Sequence, residues 1–308
     1  MVPGEEEGKK GLVKKAELSP VSLDSIIFAV PGSTASISAL IDAARAGVDV
    51  VLMDNWRPVA RLVPARYGFF LRLWHAQLRT YMSKKRRASI AAEVAGAKIW
   101  NQRINLIYMS KLSVKDKYSL RRLADEVGKI VDSLSSITTA EEAMQAEAEA
   151  ARLYWRGVRL LVPSELGFKT RLKRFSLPPG SSPDPFNAAL NIGYGMLQKE
   201  VWRAIFAVGL DPFIGFLHKP RPGRMSLVFD LMEEFRPLID REMLSLARRK
   251  PNIIARLQNE KNEEAVNEVL RIALNTLNEH RQDIFKQTRR LATSLLNETE
   301  YNGFKLSY

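Results

Sequence analysis

The hydrophobic positions change their period once along this chain. Ahead of about Tyr67 the apolar residues come in short runs. "SIIFAV" and "VDVVLMD", starting at Ser25 and Val48, are rich in β-branched residues and bounded by Pro-Gly and by Asn, so they read as strands. "PVARLVPA", from Pro58, reads as another. Between the first two, "ASISALIDAARAG" has helical spacing and stops at Gly47. From Tyr67 onward the period is helical and stays so. The pattern predicts an α+β fold that is mostly α: a small N-terminal β-rich domain, residues 1–75, and a larger all-helical domain, residues 76–308. The boundary falls between Pro64 and Lys84.

Local signals divide the helical half. "SSITTAEEAM" puts Thr138 and Thr139 ahead of Glu141 and Glu142, an N-cap signal for a long helix. "LPPGSSPDPFN" is a Pro/Gly/Ser loop, and Asn187 is the expected cap of the helix "AALNIGYGMLQKEVWRAIFAVG". Met225 to about Leu296 reads as further helices. No internal repeat is visible.

Charge changes the picture more than composition does. The 308 residues carry 47 Lys+Arg against 34 Asp+Glu, a formal net charge of +13, which favours a polyanionic partner. There is no cysteine, so disulfides, thiolate nucleophiles and Cys-ligated zinc are excluded. No apolar run reaches the ~20 residues of a membrane-spanning helix. The charged opening "MVPGEEEGKKGLVKKAELSP" lacks the apolar core of a signal peptide. The expected location is cytoplasmic, without a membrane.

Two sets of acids sit where acids need explaining. Glu147 lies mid-way along the face that carries Ala143, Ala150, Ala151, Tyr154 and Val158. A carboxylate in an apolar stripe requires a partner, either a buried arginine or a metal. Asp230 and Glu233 are one helical turn apart, opposite the apolar face of Val228, Leu231, Met232, Phe235 and Ile239. By spacing alone they are solvated acids. His218, however, lies just upstream across a loop, and imidazole with carboxylates suits Mn²⁺ or Mg²⁺. His75 and His280 read as structural. The cations Lys84, Lys85, Arg86 and Arg87, then Lys169, Arg171, Lys173 and Arg174, then Lys219, Arg221 and Arg224, form three clusters. Each is either a solvated face or a set of phosphate contacts.

Four segments together resemble the CRISPR-associated integrase family, the endonuclease subunit of spacer acquisition. "EAEAARLYW" is similar to the family's Glu-Gly-x-Ala-Ala-x-x-Tyr-Trp helix and aligns Glu147 with its catalytic glutamate. "DPFNAALNIGYGMLQ" is similar to its Asp-Pro-x-Asn-Ala segment, with Asn187, Asn191 and Tyr194 in the matching, supporting places. "GFLHKPRPGRMSLVFDLMEEFRPLID" resembles its histidine and Asp-x-x-Glu/Asp block, and "AKIWNQ" its Lys-Ile-x-Asn-Gln helix. Two features depart: Ala148 replaces the usual glycine, and the segment ahead of "SPVSLDSI" is short, so the opening hairpin is expected to be trimmed.

The resemblance implies a β-sandwich-like N-terminal domain used in dimerisation, an all-helical catalytic domain and a homodimer. It also implies assembly with the small ferredoxin-like CRISPR-associated adaptation partner, two integrase dimers bridging one partner dimer. The implied activity is that of a metal-dependent DNA endonuclease and integrase. It would insert spacer DNA by phosphodiester transesterification and cleave single-stranded, double-stranded and branched DNA. Glu147, His218 and Glu233 are the implied ligands of Mn²⁺ or Mg²⁺, with Asp230 beside the metal among the catalytic residues. Glu234, one position round the helix, is expected to be dispensable. A stand-alone integrase of a mobile element, or a non-catalytic basic DNA-binding scaffold, are the alternatives.

Overall fold

A computed structural model describes residues 2–3, 12–13, 17–19, 23, 25–28, 32–46, 48–54, 57–62, 68–172, 181–258 and 262–307. The chain divides into two compact units, Met1–Leu71 and Arg72–Tyr308.

In the first unit, β1 (Val2–Pro3) pairs antiparallel with β2 (Leu12–Val13). A separate mixed sheet has the order β3 (Ser25–Phe28), β4 (Asp49–Asp54), β5 (Arg57–Leu62). β3 runs parallel to β4, with α1 (Ile37–Arg45) as the connecting helix, and β5 returns antiparallel. The apolar run of β4 explains its central place, and Pro58, which has no N–H to donate, is confined to the outer strand β5. Ala43 of α1 packs with Val48 and Val50, flanked by Ile26, Phe28 and Leu40. Ser36 caps α1, its hydroxyl accepting from the Ala39 N–H at 3.2 Å. Among the described residues the implied sandwich is therefore one three-stranded sheet and a separate two-residue pairing.

The second unit is helical. It comprises α2 (Gly68–Met82), α3 (Lys84–Leu112), α4 (Lys117–Ser133), α5 (Ala140–Leu161), α6 (Pro185–Val208), α7 (Ser226–Arg249), α8 (Pro251–Ala255) and α9 (Glu263–Asn297). Thr139 and Glu142 form a capping box at the head of α5, as the Thr-Thr-x-Glu-Glu pattern predicts. The cap of α6 is Asp184, not Asn187. The Asp184 carboxylate accepts from the Asn187 N–H at 2.9 Å, and Pro185 takes the first helical turn, where a missing N–H costs nothing.

α3 packs against α4, α5 and α7, while α7 also meets α6 and α9. Buried residues consequently recur around the whole girth of both helices rather than on one stripe. The buried polar side chains of α3 and α7, Lys98, Asn101, Asn105, Asp230, Glu233 and Glu234 among them, thus face protein and need partners there.

Candidate metal centre

Lys98, Asn101 and Asn105 share one face of α3 by i, i+3, i+7 spacing, and all three reach α7. Asn101 Nδ2 donates to the Glu234 carbonyl at 2.8 Å, and Asn105 Nδ2 to the Pro237 carbonyl at 2.7 Å. Pro237 lies inside α7 and lacks the N–H that would bond the Glu233 carbonyl, so the helix ladder is interrupted there. The two asparagines brace α7 around that interruption and fix its register against α3. Arg241 Nε closes the ladder on Asn105 Oδ1 at 2.9 Å.

That register puts Lys98 directly against Glu233. The Lys98 ammonium lies 2.5 Å from Glu233 Oε2 and also contacts Glu147 Oε1, which arrives from α5. The lysine side chain is 11% exposed and the two glutamates 18% and 7%. Burial opposes the charge on Lys98, but Glu147 and Glu233 outweigh it and hold its pKa above the ordinary value. Burial likewise opposes charge on Glu233. Arg236, 3.3 Å from Oε1, then Lys98 and His218 outweigh it and hold the carboxyl at about 2. The acidic face that spacing alone reads as solvated is in fact buried.

His218 is hung in place by its own loop. The buried Asp230 carboxylate accepts the Phe216 and Leu217 N–H groups on Oδ2 at 2.5 and 3.0 Å. On Oδ1 it accepts the His218 N–H at 2.9 Å and meets the His218 ring Nδ1 at 2.8 Å. All four acceptor positions of the carboxylate are used. Asp230 therefore holds the histidine from behind, with its acceptor positions turned to the loop and the ring. A carboxylate can only accept, so Nδ1 carries the proton and Nε2 is left to take a proton or a cation. Gly215 makes this approach possible: a Cβ there would stand 2.8 Å from Asp230 Oδ2 and 2.7 Å from the Ser226 backbone carbon. From outside, Gln77 Nε2 holds the carbonyls of Asp211 and Ile214, each at 2.8 Å, and Arg87 Nε holds that of Phe216 at 3.0 Å.

Glu147 and Glu233 thus converge on one point, and the loop that carries His218 is tied to Asp230, one helical turn before Glu233 on α7. Among the described residues no three His, Asp or Glu side chains share one coordination sphere. The meeting point of the two glutamates is taken by Lys98 Nζ. The donor set nonetheless fits a divalent ion. Glu233 Oε2 is buried with no hydrogen bond of good geometry, the opposing carboxylate is oriented to the same point, and the imidazole has one ring nitrogen to offer.

The supporting residues do different work. Asn187 Oδ1 and Asn191 Oδ1 accept from the Arg171 guanidinium at 2.8 and 2.7 Å. The Arg171 and Arg236 guanidiniums lie 5.1 and 4.7 Å from the Tyr194 ring centroid. The Tyr194 hydroxyl donates to buried Asp240. Arg171 and Arg87, grouped by sequence with the DNA-facing cations, are therefore committed within the fold. Lys84, Lys85, Lys169 and Arg221 are exposed. Arg86 pairs with Glu298 at 3.4 Å, Lys219 pairs with Glu141 at 2.9 Å, and Arg224 lies over the Phe229 ring. Lys173 and Arg174 lie outside the described residues. His75 is exposed, and His280 Nδ1 pairs with Asp283 at 3.0 Å.

Glu234 is not dispensable by its surroundings. It is fully buried, and burial pushes its pKa up to about 8 against the hydrogen bonds of the Phe304 N–H (2.6 Å) and the Tyr301 hydroxyl (2.5 Å). It anchors the segment that follows α9. Lys98 and Arg236 are the residues to which sequence reasoning gave no role. The visible signal for Lys98 was its i, i+3, i+7 spacing with Asn101 and Asn105, which puts three polar side chains on one face of α3.

The family model described as "CRISPR associated protein Cas1" matches residues 5–277. The chain belongs to the Cas1 family. Within it, the chain is 42% identical over 245 residues to CRISPR-associated endonuclease Cas1 1 of Saccharolobus solfataricus. That match covers 79% of this chain and 66% of the relative, so slightly under two thirds of the longer Cas1 protein is represented. Among solved structures, a casposase bound to integration product superposes with a TM-score of 0.69 at 25% identity, covering 97% of this chain and 94% of that one. A partial Cas6-RT-Cas1–Cas2 complex superposes with a TM-score of 0.70 at 19% identity, covering 92% and 88%, which establishes the shared Cas1 fold. No helix among the described residues is long and apolar enough to cross a membrane.

Proposed function

We propose that this chain is a metal-dependent DNA endonuclease and integrase of CRISPR adaptation. One observation carries the reading. Glu147 from α5 and Glu233 from α7 converge on a single buried cationic point beside His218, whose Nδ1 is committed to Asp230. A non-catalytic scaffold has no use for two carboxylates held there at the cost of burial.

Glu147, Glu233 and His218 Nε2 would hold the metal, Mn²⁺ or Mg²⁺. When bound, a divalent ion polarises the phosphoryl oxygen and stabilises charge growing on the attacking and leaving oxygens. The chain's own residues do the rest. Asp230 keeps His218 in one tautomer and one orientation. Arg236, set by Glu233 and the Tyr194 ring, adds a fixed positive charge beside the carboxylates. Lys84 and Lys85 are exposed at the head of α3, where the helix dipole already favours an anion, and with Lys169, Lys219 and Arg221 they supply phosphate contacts that position DNA without reading sequence. A 3′-hydroxyl as nucleophile gives integration, and water gives cleavage of single-stranded, double-stranded or branched DNA.

The family membership favours a cytoplasmic homodimer joined through the β-rich unit and assembled with the small ferredoxin-like adaptation partner. The likeness to the casposase favours a second reading, a stand-alone integrase of a mobile element using the same site. Neighbouring genes separate the two: a CRISPR array with a partner gene, or terminal inverted repeats. The biochemical test is cleavage of a branched DNA with Mn²⁺ and with chelator. Activity that survives chelation, or that His218→Ala leaves intact, removes the reading.

A further inference from the structure

Lys98 is a cation that the site already holds. Its ammonium is met from two different helices by Glu147 Oε1 and Glu233 Oε2, and the lysine is only 9% exposed. Each group explains the others. A buried ammonium stays charged when acids flank it, and two carboxylates that converge on one point both stay ionised only across a positive charge. Arg236 offsets Glu233 from the other side, at Oε1. A divalent ion at the same point would complete the same balance more strongly. The two cations exclude each other. Metal–oxygen distances of about 2.0–2.5 Å leave no room for a nitrogen at hydrogen-bond distance from the same two oxygens. Lysine is suited to yielding, because its charge rides on a flexible four-carbon stem.

We propose that Lys98 is the resident counter-cation of the metal centre. In the metal-free protein it holds Glu147 and Glu233 facing one another, and it must leave at least one of them for a divalent ion to bind. Lys98 is then a positioning residue that competes with the metal and raises the concentration at which the site loads. The inference rests on the metal-dependent reading of this site.

The test is calorimetric titration of the full chain with Mn²⁺, comparing the unaltered protein with Lys98→Met, Lys98→Gln and Glu147→Gln. Lys98→Met keeps the stem and removes the charge, and Lys98→Gln keeps a hydrogen-bond donor. The expected result is a Kd for Mn²⁺ lowered at least about tenfold in the two Lys98 variants, since removing one partner of a buried ion pair leaves an uncompensated charge for the metal to satisfy. The metal-free unfolding midpoint should fall in both variants, and saturating Mn²⁺ should raise it by more than in the unaltered protein. Variants that fold only with Mn²⁺ support the inference equally. A folded Lys98 variant with an unchanged or weaker Kd overturns it, as does failure to fold with or without Mn²⁺. Absence of Mn²⁺ binding by the unaltered protein, or a Kd that Glu147→Gln leaves unchanged, overturns the metal reading itself and the inference with it.

Discussion

Asp230 holds His218 twice through one oxygen, at the backbone N–H (2.9 Å) and at the ring Nδ1 (2.8 Å), while its other oxygen holds the two preceding residues. Replacing it with alanine would strand three buried N–H groups and release the ring. Asp230→Ala should cost on the order of 3 kcal/mol of stability, given about 1–3 kcal/mol for each donor left unsatisfied. Asp230→Asn, which keeps the shape, should fold and lose activity about 10–100-fold, as removal of a group behind a metal ligand does. Denaturant unfolding and a Mn²⁺ titration of cleavage measure the two effects. Full activity of Asp230→Asn would remove its role in orienting His218.

DNA binding and catalysis should separate. His218→Ala and Glu147→Gln remove no surface cation, so fluorescence anisotropy should find binding to a branched DNA within about threefold of the unaltered protein, with the steep salt dependence of phosphate contacts. Cleavage should be lost. Loss of both in a folded variant would mean that the site is part of the DNA-binding surface.

Glu234 fastens the segment after α9, through Tyr301 and the Phe304 N–H, and the Leu306 N–H makes a second tie by donating to Asn101 Oδ1 at 2.7 Å. Glu234→Ala should therefore destabilise by about 2–4 kcal/mol, two buried donors losing their acceptor. Proteolysis after residue 298 should also become faster. Unchanged stability would mean that this segment docks without Glu234.

Asp240 makes a contribution of definite sign to the pH dependence of stability. Burial pushes its pKa from 3.8 up to about 6, against the hydrogen bond from Tyr194 and the charges of Lys98, Arg171 and Arg236. A carboxyl that keeps its proton longer in the folded state stabilises fully below the unfolded pKa, and that contribution is lost as pH rises through the folded value. Between pH 4 and 6 this proton should lower stability by at most about 1.4 kcal/mol per pH unit, and no further above that window. Asp240→Asn keeps an acceptor for Tyr194 and removes the proton. Denaturant unfolding at pH 4.5, 5.5, 6.5 and 7.5 should show the variant gaining on the unaltered protein up to about pH 6 and running parallel above it.

Much of this protein was determined by local sequence. The strands at Ser25, Asp49 and Arg57, the helix between the first two and the change to helical period near Tyr67 follow from spacing of apolar residues, which the structure repeats. The Thr139–Glu142 capping box is equally local, because its donors and acceptors lie three residues apart. Membership of the family was legible in four short segments, since motif residues keep their order whatever surrounds them. The tertiary structure decided what each buried group faces. Helical period assigns Glu147 to a face of α5, but only the packing of α3 on α5 brings Lys98 to it, and only the register between α3 and α7, set by Asn101 and Asn105, brings the same lysine to Glu233. Asp230 and Glu233 look alike in sequence, one turn apart. One is consumed by loop N–H groups and the other meets a cation, because backbone donors leave no trace in side-chain pattern. Arg87, whose partner is the Phe216 carbonyl, was read as surface for the same reason. Period tells which way a side chain leaves its helix, and only packing tells whether water or another helix waits there.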